Sequence, residues 1–171
     1  QEVIAEETFK VLEERDVQLW YGPATIADVR HIVRLMGDVM DEIGEIVRHS
    51  LPLDKRSFHA TLMNEIVNNP TFGAFVAHAD GKIIGYILSS LTQNWFNMNQ
   101  IIAVLRQWYV KPEYRKDGIA KNLFRLFEDW AKESNATSIQ CSHFMSSPKG
   151  AGATFKRAGY THYSNDYVKE I

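Results

Sequence analysis

Residues 101–134 constrain the fold most strongly, because they join a strand, a loop and a helix in one continuous segment. Residues 101–110 are rich in β-branched and aromatic side chains, which predicts a strand. Residues 119–134 carry apolar side chains at helical spacing, which predicts an amphipathic helix. Residues 112–118 lie between them as a loop. Strands and helices therefore occur in the same part of the chain.

The other predicted elements complete an α+β pattern. Further strands are predicted at 17–21, 72–77, 82–88, 138–144 and 163–171, with helices after Thr25, over 54–68 and from Ser147. The Asp80-Gly81 pair between two of these strands is typical of a tight hairpin. The order is mixed, and only late in the chain do single helices cross over between consecutive strands, twice in all, which argues against a doubly wound sheet. The order predicts a central mixed sheet covered by helices.

Two local features are expected to interrupt these elements. Gly37 and Gly44 weaken the helix after Thr25, and we expect a break or kink there. The polar segment 93–100 is predicted to be a hairpin loop that carries Trp95 and Phe96. Exposed aromatic residues in such a loop could hold a substrate or a partner protein. They could equally pack on a second subunit or under the N-terminal helix. The sequence does not separate these roles, and a homodimer is one of them.

Length and composition limit the classes of protein. The 171 residues suit one domain over 17–171, preceded by an N-terminal extension over 1–16 that is predicted to be helical. A formal charge of −2 argues against a nucleic-acid-binding protein. No apolar run approaches the roughly 18–20 residues of a membrane span, and the acidic start does not resemble a signal peptide. We expect a cytoplasmic protein that binds neither nucleic acid nor membrane.

The loop before the helix of residues 119–134 contains the pattern R-x-x-G-x-A, from Arg115 to Ala120. Backbone N–H groups at a helix start have no partner inside the helix, and the helix dipole favours an anion there. Glycine and alanine leave room for a phosphate to approach. Arg115, Lys116 and Lys121 add positive charge. The pattern predicts a pyrophosphate site, although a lone turn glycine is the ordinary alternative.

Two patterns together resemble a known family. V-x-P-x-x-R-x-x-G-x-A, which begins at Val110, resembles the acyl-CoA-binding motif of the GCN5-related N-acetyltransferase (GNAT) family. A-x-x-x-F-x-x-x-G-Y, which begins at Ala151, is similar to a late helix of that family. The resemblance covers residues 17–171 and is most specific over 104–160.

The resemblance implies a fold, a cofactor and a reaction. The fold would be α+β, with a mixed and mostly antiparallel sheet, a splayed pair of strands and flanking helices. Acetyl-CoA would lie between the splayed strands, with its pantetheine arm on the main chain around Trp108, Tyr109 and Val110. Its pyrophosphate would be held by Arg115, Lys116, Asp117, Gly118, Ile119, Ala120 and Lys121. A small amine or a protein amine would then attack the thioester directly, without an acyl-enzyme.

His143 is the candidate general base. An amine must lose a proton before it reacts, and an imidazole can accept one at neutral pH. In the branch of the family that modifies protein N-termini, a glutamate is the base and a tyrosine is the acid; His143 and Phe155 stand at those positions here. Phenylalanine cannot donate a proton, and Pro148 replaces that branch's asparagine. The acid therefore stays open among Tyr160, Tyr163, Ser146 and water.

Cys141 and an acidic stretch have more than one interpretation. Cys141 precedes His143 by two residues, so it is either a nucleophile with a histidine base or a small buried side chain. Asp38, Asp41, Glu42 and Glu45 would attract a cationic acceptor, or they form an ordinary solvated helix face. The chain has one cysteine and no histidine pair at ligand spacing, so no metal site is expected.

Two alternatives to an active enzyme remain. Phe155 in place of the tyrosine is consistent with an inactive acyl-CoA-binding module of the same fold. Trp95, Phe96 and the N-terminal helix are consistent with a protein-interaction module. Binding of acetyl-CoA and release of its thiol would separate the three classes.

Overall fold

The computed structural model describes residues 17–45, 52–143 and 151–162. Its five strands form one sheet in sequence order, and they are β1 (Leu19–Pro23), β2 (Phe72–Ala79), β3 (Lys82–Asn94), β4 (Asn97–Val110) and β5 (Ser138–Gln140). Strands β1 to β4 pair antiparallel, and β5 pairs parallel to β4. The predicted mixed and mostly antiparallel sheet is confirmed. The predicted extension over 1–16 and the strand over 163–171 lie outside the described residues.

Helices cover both faces of the sheet. They are α1 (Val29–Glu42), α2 (Lys55–Asn68), α3 (Ile119–Glu133) and α4 (Ala151–Arg157). Alternate side chains of β3 point to opposite faces, so Tyr86 packs in the core with α1 and α2, and Ile87 packs in the core with α3. The helix predicted from Ser147 is described from Ala151 onward.

The course of α1 contradicts the interruption expected at Gly37 and explains the one expected at Gly44. It passes through Gly37 without a break, where the end of the Lys55 side chain lies 3.2 Å from an ideal Cβ. The expected interruption at Gly37 is therefore wrong. The helix ends at Glu42, and Gly44 follows with a φ of +85°. A left-handed glycine just past the last turn is a common way to end a helix.

The tip of the β3–β4 hairpin is shorter than the predicted loop over 93–100. Both strands continue to Asn94 and Asn97, and Trp95 and Phe96 form the turn between them. Side-chain amides form hydrogen bonds within the tip: Asn94 Oδ1 accepts from Phe96 N–H at 3.0 Å, and Asn94 Nδ2 donates to Gln100 Oε1 at 2.9 Å. Trp95 is 91% exposed and Phe96 is 100% exposed.

Strands β4 and β5 diverge after a short contact. Only Ile102–Val104 of β4 pairs with β5, and the predicted strand over 138–144 ends at Gln140 because its partner turns away. Arg106 is an extra residue on β4, since Leu105 opposes Ser89 and Gln107 opposes Leu88 on β3. Such a bulge increases the local twist of a strand. The splayed strand pair is confirmed, and within the described residues the remainder of β4 is paired on its β3 side alone.

Gly85 holds the end of β4 close to β3. An ideal Cβ at this position would lie 2.9 Å from the carbonyl oxygen of Tyr109, 3.1 Å from Val110 Cγ2 and 3.2 Å from Leu123 Cδ1. We expect Gly85→Ala to lower the free energy of unfolding by about 1–3 kcal/mol, because backbone and packed side chains must move apart. Urea denaturation measures this change. A variant as stable as the parent would contradict the close approach.

None of the helices in the described part of the chain is both long and apolar enough to cross a lipid bilayer.

Candidate active site

The loop between β4 and α3 is fixed at both of its ends. Lys111 N–H donates to Ile84 O at 2.9 Å, which ties the start of the loop to β3. Pro112 then opens a short 3-10 helix (Pro112–Tyr114), where its missing N–H costs nothing. Gly118 precedes α3 with φ +73° and ψ 3°, a left-handed conformation that favours glycine. An added Cβ would meet no heavy atom within 4 Å, so the space above Gly118 is open.

The start of α3 presents backbone donors to this open space. Asn122 N–H donates to Gly118 O at 3.0 Å and begins the helical ladder. In the described part of the chain, the N–H groups of Gly118, Ile119, Ala120 and Lys121 have no backbone acceptor. The side chains of Lys116, Asp117 and Lys121 are exposed nearby. Free donors, the helix dipole and two ammonium groups against one carboxylate suit an anion such as a phosphate.

The guanidinium of Arg115 is bonded to Glu42 and to the main chain of Val110. Its Nη2 lies 2.6 Å from Glu42 Oε2, and its Nε donates to Val110 O at 2.8 Å. Its guanidinium carbon is 5.4 Å from the centre of the Tyr109 ring. The guanidinium therefore contacts the end of α1 and the end of β4, while the direct role predicted for Arg115 at the pyrophosphate stays a prediction.

Side chains of neighbouring residues at the end of β4 point to opposite faces of the sheet. Trp108 packs on the α3 side, with its ring 5.1 Å from Phe124 and 6.0 Å from Phe155. Its Nε1 is buried and has no hydrogen-bond partner among the described residues. Tyr109 faces α1, and its hydroxyl donates to Glu42 Oε1 at 2.9 Å. Burial first, and then that hydrogen bond, raise the pKa of Tyr109.

His143 lies next to α4. Its ring centre is 6.1 Å from that of Phe155, and an ideal Cβ on Gly152 would stand 3.0 Å from its Nε2. His143 and Phe155 are therefore close in space, although they are twelve positions apart in the sequence. The imidazole is on the same side of the sheet as Trp108, because both contact Phe155.

Cys141 and Tyr160 are both poorly suited to ionise. Tyr160 donates from its hydroxyl to Glu128 Oε1 at 2.9 Å. Burial first, and then the charge of Glu128, raise the pKa of the Cys141 thiol to about 12. Burial also raises the pKa of Tyr160, with a further contribution from its hydrogen bond to Glu128. These environments favour the small buried interpretation of Cys141 over a nucleophile, because a reactive cysteine needs a lowered pKa.

This environment predicts slow alkylation of Cys141. A pKa of about 12 keeps the thiol protonated at neutral pH, so iodoacetamide should react with the folded protein at least ~10-fold more slowly than with the urea-unfolded chain. The rate for the folded protein should keep rising with pH beyond the ~8.5 at which an ordinary thiol levels off. Mass spectrometry of the labelled chain measures both rates. Equal rates, or a plateau near that pH, would contradict this account of the thiol.

The contact between Glu42 and Arg115 was missed by the sequence analysis. The two residues are 73 positions apart, and neither belongs to a local pattern that names the other. Glu42 was interpreted only as one member of an acidic stretch. The pair becomes visible only when the end of α1 is placed beside the β4–α3 loop.

Within the described segments, no three side chains of His, Cys, Asp and Glu come close enough together to hold a metal ion.

Comparisons with known proteins bear on the whole of this arrangement. A sequence model described as Acetyltransferase (GNAT) family matches residues 40–160. That range contains the β4–α3 loop, His143 and α4. A search of curated protein sequences gives no significant match.

Many solved structures share the fold at low sequence identity. A predicted acetyltransferase with acetyl-CoA from Clostridium acetobutylicum has a TM-score of 0.72 and 18% identity, over 90% of this chain and 96% of that one. A ribosomal-protein-alanine N-acetyltransferase from Brucella melitensis biovar Abortus has a TM-score of 0.70 and 15% identity, over 90% and 99%. Glucosamine-6-phosphate N-acetyltransferase from Arabidopsis thaliana has a TM-score of 0.70 and 11% identity, also over 90% and 99%. Because the last two enzymes are named for different acceptors, similarity of fold does not identify the acceptor.

Proposed function

Because the chain belongs to the acetyltransferase (GNAT) family, its activity is acyl-CoA-dependent N-acetyl transfer, and we propose that it acetylates a cationic amine with acetyl-CoA as donor. The observation that carries the cofactor assignment is the start of α3. There, free backbone N–H groups surround the open space above a left-handed Gly118. The same region of the chain leaves the end of β4 without a partner on its β5 side, within the described residues.

The chain offers complementary groups for each part of the cofactor. The N–H groups from Gly118 to Lys121, with the Lys116 and Lys121 side chains, suit the pyrophosphate. Within the described residues, the main chain at Trp108 and Tyr109 has no strand on its β5 side, which suits the amide groups of the pantetheine arm. Val110 lies on the same open side, although its carbonyl oxygen already accepts from Arg115 Nε. Trp108 Nε1, buried and without a partner in the described segments, offers one further donor in this region. When bound, acetyl-CoA supplies an activated acetyl group as a thioester.

His143 is the proposed general base. Its imidazole lies against Gly152 and Phe155, near the opening between β4 and β5. It would take the proton of the attacking amine and leave a neutral nucleophile. Thiolates leave readily, so a missing acid need not prevent turnover. Phe155 cannot supply a proton, and Tyr160 is held by Glu128. Water remains, as do Tyr163 and Ser146, which lie outside the described residues.

Acidic side chains support a cationic acceptor. Asp38 and Glu45 are exposed on α1 and just after it. Asp38 is near enough to Tyr109 for its charge to be the last of several causes, after burial and Glu42, that raise the pKa of Tyr109. Negative charge beside the cofactor opening raises the local concentration of a cationic amine. A polyamine or a lysine side chain fits this field better than an amine that carries a carboxylate.

A calorimetric titration tests the cofactor assignment. We expect acetyl-CoA and free CoA to bind with micromolar affinity, and released thiol should then appear with a polyamine or a lysine peptide. A zwitterionic amino acid should react more slowly. Binding of CoA without thiol release from any amine would favour the inactive module that Phe155 suggests. Failure to bind CoA would contradict the proposal.

A further inference from the structure

We propose that Glu42 is a positioning residue for cofactor binding, and that Arg115 supports this binding through Glu42 rather than by touching phosphate. The inference rests on the proposed function, since it concerns the loop that would hold the pyrophosphate. It gives a role to Glu42, a member of the acidic stretch whose carboxylate contacts both β4 and the β4–α3 loop.

The contacts form a closed bridge between three parts of the chain. Glu42 is the last residue of α1, and its two carboxylate oxygens are divided between two partners. Oε1 accepts from the Tyr109 hydroxyl at 2.9 Å, and Oε2 accepts from Arg115 Nη2 at 2.6 Å. Arg115 Nε returns to β4 by donating to Val110 O at 2.8 Å. The bridge therefore joins α1, the end of β4 and the β4–α3 loop.

The bridge is anchored on one side by a buried ring. Tyr109 is 7% exposed, and its ring centre lies 6.2 Å from that of the fully buried Tyr86. The Tyr109 hydroxyl is thus held in place by the core, and it fixes the Glu42 carboxylate that receives Arg115. The side chains of Arg115 and Glu42 are 30% and 32% exposed, so solvent weakens their charge attraction. The orientation of the planar guanidinium is fixed by two directed hydrogen bonds, from Nη2 to Glu42 Oε2 and from Nε to Val110 O.

A positioning role and a purely electrostatic role for Glu42 predict opposite changes in CoA affinity when Glu42 is replaced. The pyrophosphate is an anion, so removing a nearby carboxylate should strengthen its binding if charge alone matters. Freeing Arg115 should add to that gain if its guanidinium were a phosphate ligand held back by Glu42. If the bridge instead orders the loop, its loss leaves the N–H groups at the start of α3 less well placed, and binding weakens.

The first measurement is the Kd of CoA for Glu42→Gln. We expect binding at least ~5-fold weaker than in the parent, the lower end of the coupling between linked sites. Glu113→Gln is the charge control, because Glu113 is exposed in the same loop and its loss removes the same charge. The control should bind CoA as tightly as the parent or slightly more tightly. Thermal unfolding of each variant shows whether its fold is retained.

A double-mutant cycle tests whether Arg115 acts through Glu42. Arg115→Met should weaken binding about as much as Glu42→Gln, and the double variant should be no weaker than either one. Arg115→Lys should resemble Arg115→Met, because an ammonium cannot reach Glu42 and Val110 O with the same fork. Additive losses, or rescue by lysine, would show that Arg115 contacts phosphate directly and would overturn the proposal.

Tyr109→Phe provides a milder variant if Glu42→Gln fails to fold. It keeps the ring against Tyr86 and removes only the hydroxyl that holds Glu42. We expect a smaller loss of CoA affinity of about 2-fold or more, by loss of one hydrogen bond to a charged group. Unchanged or tighter binding in Glu42→Gln or in Tyr109→Phe contradicts the positioning role. If the parent itself does not bind CoA, the proposed function fails instead, and the two failures are thereby distinguished.

Discussion

Gly118→Glu should reduce the affinity for CoA by at least ~100-fold, the largest effect that we expect on cofactor binding. The new carboxylate would occupy the open space above the start of α3, where an added Cβ meets nothing within 4 Å. It would place a negative charge against the N–H groups that suit the pyrophosphate. It would also force a non-glycine residue to adopt a φ of +73°. Calorimetry with CoA measures the change.

Two variants separate these contributions. Gly118→Ala adds no charge and leaves the space nearly open. Its free energy of unfolding should therefore fall by only about 1–2 kcal/mol, the cost of a left-handed backbone at a non-glycine residue. Gly81→Glu is a matched control, because Gly81 has a φ of +75° and equally open surroundings in the β2–β3 turn. It should lose a similar amount of stability and keep its CoA affinity. An affinity in Gly118→Glu equal to that of the Gly81→Glu control would refute the placement of the pyrophosphate.

The parts of the fold that could be predicted depend on local patterns. The β2–β3 hairpin is confirmed with Asp80 at φ +50° and Gly81 at φ +75°, values that an Asp-Gly turn favours. Helix α3 follows from the spacing of its apolar residues. The length of β5 could not be predicted in this way, because a strand ends where its partner turns away. That divergence occurs near the bulge at Arg106, for which the sequence carries no clear signal.

The same distinction applies to the site. Gly118 could be singled out because the strand, loop, glycine and helix are consecutive in the sequence. The contact of Arg115 with Glu42 could not be inferred from the motif, since Glu42 is 73 residues away. The hairpin tip differs from the predicted loop for a related reason. Its asparagine and glutamine side chains bond to one another and to the main chain, and propensity rules treat such residues only as loop formers.

His143→Ala should lower kcat at pH 7 by about 100-fold, which is the lower limit of what general base catalysis commonly contributes. The Kd of CoA should stay within about twofold of the parent value, since the imidazole is proposed to act on the amine and not on the cofactor. His59→Ala is the matched control, because His59 is exposed on α2 and its removal should leave both quantities unchanged. A kcat within threefold of the parent would exclude His143 from the mechanism.

Gly152→Ala tests the position of the imidazole while leaving its chemistry intact. The added Cβ would lie 3.0 Å from His143 Nε2, so the ring must move by a few tenths of an ångström. Alanine is a better helix former than glycine by up to about 1 kcal/mol, and the variant should therefore be no less stable than the parent. A several-fold lower kcat with unchanged Kd for CoA would then reflect the displaced base. If Gly152→Ala is fully active while His143→Ala loses about 100-fold in kcat, the exact position of the imidazole set by this contact does not matter for catalysis. His143 would then act as the base from more than one position.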